Sequence, residues 1–122
     1  PVLDVSHQQN TEQETQLSTS QWQVGKLPEG FRLQHHQLRE METNPGKRLE
    51  HLLFTDGLAS ISIYIEKLGK NKPYQGRSRI GAISAYGRVL DDHQVMVVGE
   101  VPLNTVVAIG RSVTIKSDDK TE

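Results

Sequence analysis

The sequence predicts an α+β domain: about six antiparallel strands in a meander, covered by one C-terminal helix. Ile61, Ile63 and Ile65 alternate with Ser60, Ser62, Tyr64 and Glu66. That is the period of a strand with one buried face and one face toward water or a partner. Asp56-Gly57 sits between two apolar runs, a hairpin signal in which both turn positions take positive φ. Beyond Pro102 the period changes. Leu103, Val106, Val107 and Gly110 follow i, i+3, i+4, i+7 spacing, with Val113 one turn on.

Each element follows in chain order. Residues 1–19 are mostly Gln, Ser, Thr and acids, and read as a linker or disordered tail. Trp22, Val24 and Lys26 alternate with polar neighbours and give the first strand, closed by the turn Leu27-Pro28-Glu29-Gly30. The second strand runs from Phe31 to Met41. Phe31, Leu33, His35, Gln37 and Arg39 lie on one face; Arg32, Gln34, His36, Leu38 and Glu40 lie on the other. Its apolar character fades along its length, which suits a sheet edge. Thr43-Asn44-Pro45-Gly46 is a turn.

Arg48 to Thr55 is the third strand, with Leu52 and Phe54 opposite Leu49, His51 and Leu53. The isoleucine strand follows the hairpin. Residues 67–79 are polar and contain Gly and Pro, so they read as a long loop. The fifth strand spans roughly Gly81 to Leu90, and Gly87 within it marks a bulge or a close backbone contact. Asp91-Asp92-His93-Gln94 turns the chain into a sixth strand, Val95 to Glu100. Pro102 suits a helix start and Arg111 a helix end. Residues 116–122 are a polar tail, which leaves 20–115 as the folded domain.

The totals exclude several classes of function. The 122 residues suffice for one core, and the net charge of −1 points to neither nucleic acid nor an acidic membrane. There is no cysteine, hence no disulfide, thiol catalysis or cysteine metal site. No apolar run approaches the roughly 20 residues that span a bilayer. The chain starts at Pro1 without a signal peptide or initiator Met, as expected of a processed chain or a fragment.

Catalytic chemistry has no evident seat. No Ser lies in a G-x-S-x-G context, and the acids sit mostly in turns and tails. There is no P-loop and no G-x-G-x-x-G after a strand. His35 and His36 point to opposite faces of a strand and do not share an ion readily. His35 and His51 meet across neighbouring strands, but no carboxylate or cysteine completes a metal set. The expectation is a protein with no cofactor, no metal and no enzymatic activity. The local charge anomaly is the stretch 67–79, with Lys67, Lys70, Lys72, Arg77 and Arg79 and no acid. It suits either an anion or acidic partner, each exposed pair contributing at most about 1 kcal/mol, or a solvated hairpin loop with no partner.

Several segments resemble a known family. Trp22-Gln23-Val24 with Leu27-Pro28-Glu29-Gly30-Phe31 is similar to the entry of the C-terminal domain of the MucB/RseB family. Leu53 to Glu66 resembles its central hairpin. Gly81-Ala82, Tyr86 to Leu90 and Val97-Val98-Gly99-Glu100-Val101-Pro102 complete the pattern, which covers about residues 20–114. The resemblance implies a periplasmic negative regulator of the envelope-stress sigma factor, sigma-E or its alginate counterpart. Such proteins bind the periplasmic part of a membrane-anchored anti-sigma factor and shield it from the site-one protease. Lipopolysaccharide or lipid signals release them. The family also has a larger N-terminal lipid-binding domain, for which this chain is too short.

On this reading Lys70, Lys72, Arg77, Arg79 and Arg88 contact the anti-sigma peptide or lipopolysaccharide phosphates. The alternative is a structural module that self-associates through a sheet edge, with the second strand as the candidate edge.

Overall fold

A computed structural model describes residues 21–40 and 48–116. The strands are β1 (Trp22–Val24), β2 (Arg32–Glu40), β3 (Arg48–Thr55), β4 (Ser60–Lys67), β5 (Gly76–Ile80), β6 (Ile83–Leu90), β7 (His93–Gly99) and β8 (Val113–Ile115). One helix, α1 (Leu103–Arg111), lies between β7 and β8. Among the described residues the α+β class, the six-stranded antiparallel sheet and one helix agree with the sequence. The tails and the turn at Thr43-Asn44-Pro45-Gly46 fall outside the described residues, apart from Lys116.

The isoleucine strand behaves as its period dictates. Ile61, Ile63 and Ile65 are buried, whereas Ser60 and Tyr64 stay open. They join Leu52, Phe54, Val95 and Val97 on one face of the sheet, under Val106 and Ile109 of α1. Burial of each such side chain contributes roughly 1.5–3 kcal/mol.

The strand order is β2-β3-β4-β7-β6-β5, which departs from a plain meander. β7 takes the place beside β4 because Val95 and Val97 are fully buried there. The polar segment Gly76–Ile80 goes to the far edge instead. So the long loop expected at 67–79 contains a strand, β5, whose residues are nearly all exposed.

The strand expected to begin at Gly81 begins at Ile83, because Gly81 takes φ +61° and opens a two-residue turn. The tight turn with two positive φ values is Asp91-Asp92, at +51° and +65°. At the other hairpin only Gly57 has positive φ. There Oδ1 of Asp56 accepts the N–H groups of Leu58 and Ala59, both at 2.9 Å, and closes a longer loop.

The first strand lies outside the main sheet. β1 pairs with β8, Trp22 opposite Ile115. The helix accordingly stops at Arg111, and Val113 is buried from a strand.

β2 lies at an edge, as its fading apolar pattern suggests, but a bulge shifts its register between Leu33 and His35. Leu33 opposes Phe54 and His36 opposes Leu52. The extra residue moves His36 onto the core face, against the simple alternation expected from sequence.

Candidate functional site

The cationic residues singled out in the sequence sit around the β5 edge. Lys70 and Lys72 are exposed on the segment leading to it, and Arg77 and Arg79 are exposed on β5 itself. Arg77 opposes Tyr86 and Arg79 opposes Ser84, so both lie on the helix side of the sheet. Residues 67–90 contain Lys67, Lys70, Lys72, Arg77, Arg79 and Arg88 and no Asp or Glu.

Arg88 is placed differently. Its Nη1 donates to the carbonyls of Gly110, Arg111 and Val113 at 3.0, 3.3 and 3.2 Å. Those are carbonyls at the helix C-terminus and just beyond, where a cation is favoured by the helix dipole. Arg88 thus fastens α1 to β6, and this arginine does not join the exposed group. Beside it, Tyr86 packs so close to Gly110 that an added Cβ there would lie 2.4 Å from the ring.

The approach to β5 is held by a side chain that the sequence reading did not single out. Gln94 accepts from the Tyr74 N–H at 2.7 Å and donates to the Tyr74 carbonyl at 2.8 Å. A buried side-chain amide here does the work of a neighbouring strand. The Tyr74 ring lies over Gly87, where an added Cβ would meet it at 2.4 Å, and its hydroxyl donates to Ser78 Oγ at 2.8 Å. Gly87 is therefore a site of close approach, one of the two roles its sequence position suggests.

On the face opposite the helix, His35 and His51 do come together, with ring centroids 6.1 Å apart. His51 stacks on Tyr64 at 4.5 Å and its Nε2 lies 3.0 Å from Ser62 Oγ. Burial first, then the nearby His35 and Arg39, hold the His51 pKa below its ordinary value.

A second pair was missed. His36, 1% exposed, has its Nε2 2.6 Å from Glu50 Oε2, and Glu50 is buried as well. The available signal was the position of Glu50 on the same alternate face as Leu52 and Phe54. Among the described residues no group of three or more His, Cys, Asp or Glu is arranged to hold a metal ion.

Residues 16–114 match the family described as the MucB/RseB C-terminal domain. The chain belongs to that family. It is 25% identical to the sigma-E factor regulatory protein RseB of Haemophilus influenzae over 83% of its length. It is 34% identical to the sigma factor AlgU regulatory protein MucB of Pseudomonas aeruginosa over 78% of its length. In each case the match covers 31% of the relative, so the chain spans about a third of these proteins.

A crystal structure of MucB in complex with MucA(peri) superposes with a TM-score of 0.66 and 32% identity, over 81% of this chain and 38% of that one. A complex structure of Pseudomonas aeruginosa MucA/MucB gives 0.67 at 32% identity, over 81% and 36%. The family match spans nearly all of the described residues, the cationic edge included.

Proposed function

We propose that this domain is a non-enzymatic regulatory module that helps to bind the periplasmic part of a membrane-anchored anti-sigma factor. In doing so it shields that factor from proteolysis and restrains the sigma-E response, and its place is the periplasm. The observation that carries this reading is the likeness to MucB as found in complex with MucA(peri). The exposed cations Lys70, Lys72, Arg77 and Arg79 provide a surface for an acidic peptide or for lipopolysaccharide phosphates. Arg88 supports that surface from behind by holding the helix. The larger lipid-binding domain of the family completes the binding unit, so the domain alone binds more weakly than the whole protein.

The test is the affinity of this chain for a purified periplasmic anti-sigma segment at low salt, with and without Arg77→Glu/Arg79→Glu. We expect measurable binding that falls at least tenfold in the double variant. Absence of binding by the whole protein sinks the reading. Unchanged affinity removes the cationic contact from it. The alternative of self-association is disfavoured at β5, where two copies would set arginine against arginine. Light scattering across concentration separates the two readings.

A further inference from the structure

We infer that β5 is a strand-addition edge, and that it takes an extended partner segment with acidic residues at alternate positions. The inference deepens the reading above and rests on it for the partner's identity.

The main sheet ends in β2 on one side and β5 on the other. Only β5 is regular, because β2 carries the register shift at Leu33/His35, a device that discourages pairing. The β5 hairpin closes through the two-residue turn Gly81-Ala82, between Ile80 and Ile83, which pair with each other. A turn of that length closes on a hydrogen-bonded pair, and hydrogen-bonded and open pairs alternate from there. Arg79 opposite Ser84, and Arg77 opposite Tyr86, are therefore open pairs. Their backbone N–H and C=O groups point away from β6, toward solvent.

An incoming strand would use those four groups first. Its side chains opposite Arg77 and Arg79 would lie on the same face as the two guanidinium groups, two residues apart. Acidic side chains match that spacing, and opposite charges paired across strands are favourable. The segment 67–90 has no acid of its own to compete. On the other face the partner's intervening side chains would run beside Ser78 and Ile80. There two apolar side chains are open to solvent: Ile80 is 80% exposed and Leu58 98% exposed. Leu58, Ile83 and Val98, together with the polar Ser60 and Glu100, line a shallow concavity of about 330 Å³ at that end of the sheet. The partner is thus read as acidic-apolar-acidic along one strand, with an apolar residue toward the Ile83 end.

Two probes are used with the full chain: a periplasmic anti-sigma segment, and a capped seven-residue peptide of alternating Glu and Val. The readouts are affinity and amide hydrogen exchange. Arg79→Pro removes one outward N–H while leaving the β5–β6 ladder intact, a position where an edge strand tolerates proline. Lys26→Glu/Lys116→Glu carries the same charge change as Arg77→Glu/Arg79→Glu at a distance.

We expect the Arg77 and Arg79 amides of the unmutated chain to gain at least tenfold protection on binding. Arg79→Pro and Arg77→Glu/Arg79→Glu should each weaken binding at least tenfold, and the distant pair less than threefold. If the segment binds while these two amides stay unprotected, strand addition is overturned and the regulatory reading stands. If only the Glu/Val peptide binds, with protection, the edge stands and the partner assignment falls. If neither binds, strand addition falls, and the regulatory reading falls with it only when the whole protein also fails to bind the segment. The exchange measurement needs no variant, so a failure of Arg79→Pro to fold does not block the test.

Discussion

His36 and Glu50 bury a polar pair within a sheet whose neighbouring residues are Leu52 and Phe54. Among the described residues Nδ1 of His36 has no hydrogen-bond partner, so Glu50 is the contact that offsets its burial. Removing one member should therefore cost far more than removing both. We expect Glu50→Leu alone to lose about 3 kcal/mol or more, and His36→Leu/Glu50→Leu to recover most of that loss. Urea unfolding of the four proteins of this cycle measures it, and additive losses would refute the coupling.

His51 gives a pH prediction with a definite sign. Its folded-state pKa is lowered, by burial first and then by His35 and Arg39. The unfolded chain therefore takes up the proton first as pH falls below about 6.5. Stability from this group is full above that value and is lost as pH drops through the folded pKa. His51→Phe keeps the stack on Tyr64 and removes the titration. The variant should show a flatter stability profile between about pH 7.5 and 5 than the parent.

At the level of elements, α1 is tied to the sheet by an arginine from β6. Arg88 reaches carbonyls at the helix C-terminus and the first residue of β8, so it joins three elements at once. Arg88→Met keeps the stem and loses those bonds. We expect a loss of about 2 kcal/mol, since bonds to a charged group contribute roughly 1.5–3 kcal/mol. Thermal unfolding would show it as a lower Tm with an unchanged native far-ultraviolet spectrum.

The same elements show what the sequence made legible. β4 was plain because one face is wholly buried and the other open, which prints a period of two. The helix was plain because Val106 and Val107 both face the core one turn beyond Leu103. β5 was invisible, since an edge strand exposed on both sides needs no apolar period. The bulge in β2 left no local mark, yet it decided which histidine is buried. Val113 kept helical spacing although it belongs to a strand, because the helix and β8 cover the same core. The cationic group was legible as a local charge excess, but composition could not tell that Arg88 turns inward.

For the whole molecule, the decisive feature is that β1 and β8 join the two ends of the described chain. Trp22, the lone tryptophan, is 6% exposed and packs edge-on to His93 at 4.9 Å. Gly25 N–H donates to the Ser112 carbonyl at 3.1 Å, and Lys116 N–H to the Gln21 carbonyl at 2.7 Å. The small sheet therefore closes over the main core through β8, and Val113 within it is fully buried. A chain cut after Ser112 loses β8, the apolar contribution of Val113 of roughly 1.5–3 kcal/mol, and the cover over Trp22. We expect its native tryptophan emission to shift to the red and its Tm to fall, while the main sheet keeps its far-ultraviolet signal.

In the intact chain, fluorescence and circular dichroism should follow a single urea transition, because Trp22 contributes to the same core as Ile61 and Val95. In the cut chain Trp22 should already be exposed before that transition begins. Val113→Asp is the companion variant: it leaves the tail in place and puts an unpaired carboxylate where none can be solvated, so it should reproduce both effects. If either protein keeps blue emission and an unchanged midpoint, the small sheet is an appendage and the cooperative unit is the six-stranded sheet with its helix alone.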